Sequence, residues 1–166
     1  MLVTNLQLNS YGGSGMKALI VYDTKHGMTE QVAKAIMNGM KEGGIAEIVL
    51  KKAADVVEED FKAADAWILG SPVHIGGATG EAKKALKLAI GTATAGKKGT
   101  AFDTRFANTK GKAAAEKLAE KMEEAGVKKV IEPQGFVVLK TKGPLAEGEE
   151  GKATAFGKQI AAALKA

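Results

Sequence analysis

The sequence predicts an α/β domain in which a five-stranded parallel sheet carries helices on both faces, the doubly wound arrangement. Short apolar runs alternate with amphipathic helical patterns five times along the chain. Repeated β-then-α units of this kind form parallel sheets through right-handed crossovers. Hydrophobic residues make up 45% of the 166 residues, which is enough to fill the core of one domain of this length.

The first half of the chain contains three predicted strands. Ala18–Tyr22 is a continuous apolar run, typical of a strand that is buried on both faces. The helix after it ends before two glycines and repeats apolar residues every four positions, at Met28, Val32, Ile36 and Met40. Ile45–Leu50 is the second predicted strand and Ala66–Leu69 the third, with Trp67 expected in the core. Residues 55–62 between them are expected to form a short, poorly defined connection.

The second half continues the alternation. The next helix has an alanine-rich inner face at Ala82, Ala85, Leu86 and Ala89, and Thr100–Phe102 is the fourth strand. The helix after that strand is predicted to bury Ala114, Ala115, Leu118, Met122 and Ala125. A fifth strand is expected in two pieces, Val130-Ile131 and Phe136–Leu139, interrupted around Pro133 and Gly135. The last helix is predicted to bury Phe156, Ile160, Ala163 and Leu164.

Composition excludes several classes of protein. Without cysteine, the chain has no thiolate-bound iron–sulfur cluster, cysteine-ligated zinc, disulfide or cysteine nucleophile, and this composition fits a cytoplasmic protein. No apolar run approaches the roughly 20 residues that a membrane span needs, so we expect no membrane partner. Residues 1–15, which end in Gly-Gly-Ser-Gly, have no place in the five-unit pattern. We expect a flexible tail there and the folded domain over residues 16–166.

The charged residues favour acidic partners over nucleic acid. Net charge is +5, and 23 of the 24 basic residues are lysine, Arg105 being the exception. Nucleic-acid recognition favours arginine forks and stacked aromatic rings, whereas aromatic residues make up only 5% here. We therefore expect no nucleic-acid partner.

Ligands of open parallel sheets bind outside the carboxyl ends of the strands. The segments to inspect are therefore 23–29, 71–80 and 103–110, which follow the first, third and fourth strands. They contain both histidines, His26 and His74, and the single arginine. This concentration favours a ligand site over a bare scaffold.

The first of these loops has the composition of a phosphate cradle, with two threonine hydroxyls, Gly27 and the start of a helix. An ordinary capped strand-to-helix turn fits the same spacing.

Two other phosphate-binding motifs are excluded by the sequence. Residues 91–98 end in Lys98 where a P-loop needs Ser or Thr, and no GxGxxG follows the first strand.

Three segments carry a resemblance to the flavodoxin family. Val21–Thr29 is similar to its phosphate-binding signature, Thr/Ser-x-Thr-Gly-x-Thr, and Gly70–Gly76 to its Gly-Ser-Pro stretch. Ala101–Arg105 resembles a branch of the family that has Phe-Asp-Thr-Arg after the fourth strand. The resemblance extends over residues 17–166 and implies a flavodoxin-like strand order of 2-1-3-4-5 with FMN as the cofactor.

The resemblance also implies the residues of the site. The phosphate would be held by Thr24, Lys25, His26, Gly27, Met28 and Thr29. The flavin ring would be flanked by Pro72, Val73, His74, Ile75 and Gly76, and on its other side by Asp103, Thr104, Arg105 and Phe106. His26 stands where the family usually has Thr or Ser, and the second and third loops lack the family's Trp and Tyr. His74 and Phe106 are therefore the expected ring contacts.

The function that the resemblance implies is electron transfer through noncovalently bound FMN to a redox partner protein, which the basic charge predicts to have an acidic docking face. One alternative is an FMN-dependent reductase that takes hydride from NAD(P)H and reduces a quinone. Another is a redox-silent module that binds a phosphorylated ligand or a protein.

Overall fold

A computed structural model of the protein describes residues 15–166. The strands are β1 (Lys17–Tyr22), β2 (Glu47–Lys52), β3 (Ala66–Pro72), β4 (Lys98–Arg105), β5 (Lys128–Lys129) and β6 (Gln134–Val137). The helices are α1 (Met28–Glu42), α2 (Glu58–Ala63), α3 (Gly80–Ile90), α4 (Ala114–Glu124) and α5 (Glu149–Lys165). The tail expected over residues 1–15 lies outside the described residues except for Gly15. Within the described range, no helix combines the length and the apolar character that crossing a membrane requires.

The sheet is parallel throughout, with the order β2-β1-β3-β4-β5. The predicted fold class and strand order are therefore confirmed. The fifth position is shared, because β5 pairs with the start of β4 and β6 pairs with its end. Polar residues at the carboxyl ends of β1, β3 and β4 consequently meet at one edge of the sheet.

The break in the fifth position differs in detail from the expected one. Val130 and Ile131 lie beyond the end of β5 and are partly buried against the core. They stay beside β4, because the Val130 N–H donates to the Gly99 carbonyl at 3.1 Å and the Thr100 hydroxyl donates to the Ile131 carbonyl at 2.9 Å. Pro133, which has no N–H to donate, lies between the two short strands. The second piece begins at Gln134, two residues earlier than expected, and ends at Val137.

The expected poorly defined connection before β3 contains the short helix α2. Its single buried residue, Phe61, packs edge-to-face on Trp67 with ring centroids 5.3 Å apart. The Trp67 indole N–H donates to the Phe61 carbonyl at 3.0 Å, and Trp67 is fully buried, as expected. A helix with one buried residue shows no apolar periodicity, which explains why the sequence pattern did not reveal it.

Helices cover both faces of the sheet, each over its own apolar layer. One layer contains Leu19 and Val21 with residues of α2, α3 and α4, and the other contains Ala18 and Ile20 with residues of α1 and α5. In the predicted inward faces two alanines are only partly buried, Ala125 just beyond α4 and Ala163 in the last turn of α5.

Candidate functional site

A cavity of about 560 Å³ opens at the carboxyl edge of the sheet, beside β1, β3 and β4. Twelve of the fifteen residues expected in the site line it: Thr24, Lys25, His26, Met28, Thr29, Pro72, Val73, His74, Ile75, Thr104, Arg105 and Phe106. Gly27, Gly76 and Asp103 are not among the lining residues. The volume lies within the range of small-molecule and cofactor pockets.

The first loop leaves the start of α1 open toward this cavity. Gly27 precedes the helix with φ at 92°, and its N–H donates to the Thr24 hydroxyl at 2.9 Å. Over residues 15–166, the next three amide N–H groups, of Met28, Thr29 and Glu30, have no acceptor. Free N–H groups at the positive end of a helix attract an anion.

The neighbouring helices are capped, which distinguishes α1 from them. The Thr79 hydroxyl accepts the Ala82 N–H in the first turn of α3. The Asp103 carboxylate accepts the Ala115 N–H at the start of α4, at 2.8 Å. Of the three helix starts compared, α1 is thus the one in which no side chain accepts a first-turn N–H group.

The second loop folds into a two-residue turn. His74 and Gly77 exchange hydrogen bonds in both directions, at 2.7 and 3.1 Å, and Ile75 and Gly76 between them have φ values of 48° and 75°. The Lys117 ammonium group donates to the Gly76 carbonyl at 2.8 Å and ties the turn to α4. His74 and Ile75 face the cavity mouth and are exposed.

Ser71 belongs to β3 instead of the loop. Its hydroxyl accepts the Thr79 N–H at 3.0 Å, while the Thr79 hydroxyl donates to Asp23. These two bonds connect the end of β3, the start of α3 and the end of β1 beneath the cavity. The floor of the site is therefore held by polar contacts between all three elements.

Strand β4 continues through Arg105, so Asp103, Thr104 and Arg105 are strand residues and not loop residues. The Thr104 hydroxyl lies 2.8 Å from that of Thr29 and connects β4 to the first turn of α1. Asp103 points to the other face and is fully buried, where burial raises the pKa of its carboxyl. Phe106 follows the strand and remains 46% exposed at the mouth.

The guanidinium group of Arg105 lies in the cavity wall between two carboxylates. Its Nε and Nη2 atoms donate to the Asp103 carboxylate at 2.8 Å, and Nη2 also donates to Glu116 at 2.9 Å. The Asp103 hydrogen bond raises the pKa of Arg105 above its usual range. The cluster links β4 to α4, and because two acidic groups face one cation it adds no net positive charge to the site.

A fourth segment, between β6 and α5, also lines the cavity and was missed by sequence reasoning. It contributes Val138 and Thr141, while Thr79 and Thr109 were missed within or beside the examined loops. The buried Glu149 accepts the Val137 N–H at 2.6 Å and holds the start of this segment. In the sequence, the one feature that pointed to this segment was its position after a strand of the same sheet.

The comparisons with known proteins agree with this geometry. The family model described as "Flavodoxin domain" matches residues 19–136, which include the first three loops of the site. The chain belongs to the flavodoxin family. A solved flavodoxin from the domain Archaea superposes with a TM-score of 0.77 at 24% identity, covering 91% of this chain and 100% of that one.

Two curated relatives match shorter stretches. A flavodoxin of Clostridium saccharobutylicum is 33% identical over 89 residues, 54% of this chain and 56% of that protein. An "NAD(P)H dehydrogenase (quinone)" of Brucella abortus is 37% identical over 79 residues, 48% of this chain and 39% of that protein. The chain thus matches well under two thirds of the length of these relatives.

Family membership confirms the expected cofactor, since flavodoxin domains bind FMN, and the residues present fit that group. The uncapped start of α1 presents the free N–H groups that a phosphate group requires. A Cβ built on Gly27 would meet nothing within 4 Å, so the space beside the loop is open. The missing Trp and Tyr leave His74 and Phe106 as the ring-bearing side chains of the second and third loops that line the cavity.

Proposed function

We propose that this protein binds FMN noncovalently and passes electrons to a partner protein. The observation that carries the proposal is the uncapped N-terminus of α1, which opens into a cofactor-sized cavity at the carboxyl edge of a flavodoxin sheet. FMN, when bound, supplies the one- and two-electron redox chemistry. The protein's own residues bind it, orient it and limit the access of water.

The positions of the residues support the following roles. The N–H groups at the start of α1 and the hydroxyls of Thr24 and Thr29 would hold the phosphate, and Lys25 and His26 would add donors at the exposed side. The turn at residues 72–76, Thr104 and Arg105 at the end of β4, and Phe106 after the strand would flank the ring. Asp103 would act through Arg105 and Ala115, because it does not reach the cavity itself.

The partner that this surface favours is acidic. The net charge of +5 and the exposed Lys25 at the cavity mouth attract a carboxylate-rich face and would increase its association rate at low ionic strength.

A second candidate is an FMN-dependent NAD(P)H:quinone reductase, supported by the 37% identity to the Brucella enzyme over 79 residues. The same cavity would then hold FMN, and the reductant would reach the ring through the open mouth. A third, a redox-silent module that binds a phosphorylated ligand, needs only the start of α1.

One set of measurements distinguishes these functions. The absorption spectrum of the purified protein, with and without added FMN, tests flavin binding, and a protein that binds no flavin would contradict the first two. Oxidation of NADH or NADPH by the FMN-loaded protein, with and without a soluble quinone, separates the reductase from the carrier. We expect flavin binding with little NAD(P)H oxidation.

A further inference from the structure

Ile75 combines two unfavourable features. Among residues 15–166 it is the one non-glycine residue with a positive φ, at 48°. Branched side chains are disfavoured in this conformation because the Cβ atom approaches a backbone oxygen. The residue is also 93% exposed, so contacts within the protein do not offset the strain.

The two-residue turn explains how this conformation is maintained but not why isoleucine occupies it. Both central positions of such a turn need positive φ, and Asn-Gly is the sequence that fits best. The hydrogen bonds between His74 and Gly77, together with the bond from Lys117 to Gly76, close the turn through backbone atoms. The isoleucine side chain contributes nothing to that closure. A strained residue that the fold does not require is evidence for a function.

Two more large apolar side chains are exposed on segments that line the same cavity. Phe106 lines the cavity and is 46% exposed, and Leu139, which follows the lining residue Val138, is 60% exposed. With Ile75 they belong to three separate segments around one opening. Exposed apolar residues are ordinary singly, whereas three around one cavity mark an interaction surface.

Lysines are interspersed with these apolar residues. Lys25 lines the cavity, Lys110 follows the lining residue Thr109, and Lys140 and Lys142 flank the lining residue Thr141. All four are exposed, and none has a carboxylate within ion-pair distance in the described part of the chain. Unpaired cations around an apolar centre are complementary to a ring of carboxylates.

We propose that these seven residues, which we call the docking rim, bind an acidic protein surface, with Ile75 as the apolar anchor. The proposal rests on the proposed function, because such a partner would exchange electrons with a flavin in the cavity. A second copy of the chain is disfavoured, since it would bring like charges together. A membrane surface would match one continuous apolar face better than three residues spaced around a concave opening.

The test uses two small haem proteins of opposite charge as probes. In cytochrome b5 carboxylates surround the haem edge, and in cytochrome c lysines do. Binding of each oxidised probe to the oxidised, FMN-loaded protein is measured by NMR chemical-shift titration at low and high salt. We expect binding to cytochrome b5 that weakens with salt and no binding to cytochrome c. Equal binding to both, or binding to phosphatidylserine vesicles but not to cytochrome b5, would overturn the proposal.

Charge variants locate the surface. Lys110→Glu and Lys140→Glu should each weaken cytochrome b5 binding by roughly threefold to tenfold, because reversal replaces an attraction by a repulsion. Lys128→Glu is the matched control, since Lys128 is exposed at the opposite, amino edge of the sheet. A control that weakens binding as much as the rim variants do would show that only net charge matters, and the rim would be rejected.

Ile75→Asn separates docking from folding. We expect about tenfold weaker binding to cytochrome b5 from the lost apolar contact. The melting temperature should rise by roughly 2 °C, because Asn tolerates the left-handed conformation. Because residue 75 would also flank the flavin ring, every titration is made at saturating FMN, where a change in flavin affinity does not alter cytochrome b5 binding. Unchanged cytochrome b5 binding would overturn the proposal, and so would a lower melting temperature, which would assign Ile75 to the fold.

Failure of the proposed function is recognised separately. If the wild-type protein binds no FMN, that function is wrong. The rim is then judged by the same titrations on the protein as purified, which need no flavin.

Discussion

Thr24 offers a direct test of the phosphate loop. Its hydroxyl accepts the Gly27 N–H at 2.9 Å, and its side chain is only partly buried at the cavity wall. Asn and Asp side chains can both supply the same acceptor to an N–H three residues on. Thr24→Asn and Thr24→Asp therefore preserve the turn, and they differ from each other by one negative charge.

The expected magnitude follows from this charge alone. A phosphate monoester has a charge of about −1.5 to −2 at pH 7. Repulsion from a partly exposed carboxylate in the same loop should cost ~1–3 kcal/mol after screening by salt. Thr24→Asp should thus weaken FMN binding by roughly fivefold to 150-fold relative to Thr24→Asn. Riboflavin, which has no phosphate, should bind both variants equally.

Quenching of flavin fluorescence measures the four dissociation constants, at low salt and again at high salt. The difference between the variants should shrink at high salt, since the repulsion is screened. Equal FMN affinities for the Asn and Asp variants, or equal losses for FMN and riboflavin, would show that the phosphate does not lie in this loop. Far-UV circular dichroism of both variants checks that the fold is retained.

Three further predictions concern stability and titration. Gly157→Ala should destabilise the protein by about 3 kcal/mol or more, because the added Cβ would lie 2.1 Å from the Ile36 carbonyl oxygen of α1. Gly151→Ala, whose added Cβ would meet nothing within 4 Å, should instead stabilise α5 by up to ~1 kcal/mol. Urea unfolding measures the free energy of unfolding of both variants. Burial raises the pKa of the Glu116 carboxyl, but hydrogen bonds from the Ala113 N–H and from Arg105 outweigh burial, and the pKa is lowered. The ionised form therefore stabilises the fold above pH 4.5, and this contribution is lost as the pH falls through the lowered pKa. Glu116→Gln should flatten the acid limb of a stability-versus-pH curve, and an unchanged limb would contradict this. Burial and the hydrogen bond to Glu30 raise the pKa of the Tyr22 hydroxyl to about 12. In an ultraviolet absorbance titration Tyr22 should therefore ionise at a higher pH than free tyrosine, and Glu30→Gln should lower that pH.

Local patterns determined most of the fold. Apolar runs and four-residue periodicity are properties of consecutive residues, and they revealed the first four strands and four of the five helices without tertiary information. The edge of the sheet that carries the site also followed, because parallel strands all end on one side. Twelve cavity-lining residues could be named on that basis and on the family resemblance.

Tertiary structure decided what depends on residues far apart in the chain. The pairing of Arg105 with Glu116 could not be read from the sequence around Arg105, since Glu116 lies eleven positions later on another element. Val138 and Thr141 reach the cavity only because β6 pairs with the end of β4. The left-handed conformation of Ile75 arises from closure of the turn, and it could not be predicted from the sequence because branched residues disfavour positive φ. Sequence periodicity determines which face of an element is buried, whereas the pairing of polar groups between elements is determined only when the chain is folded.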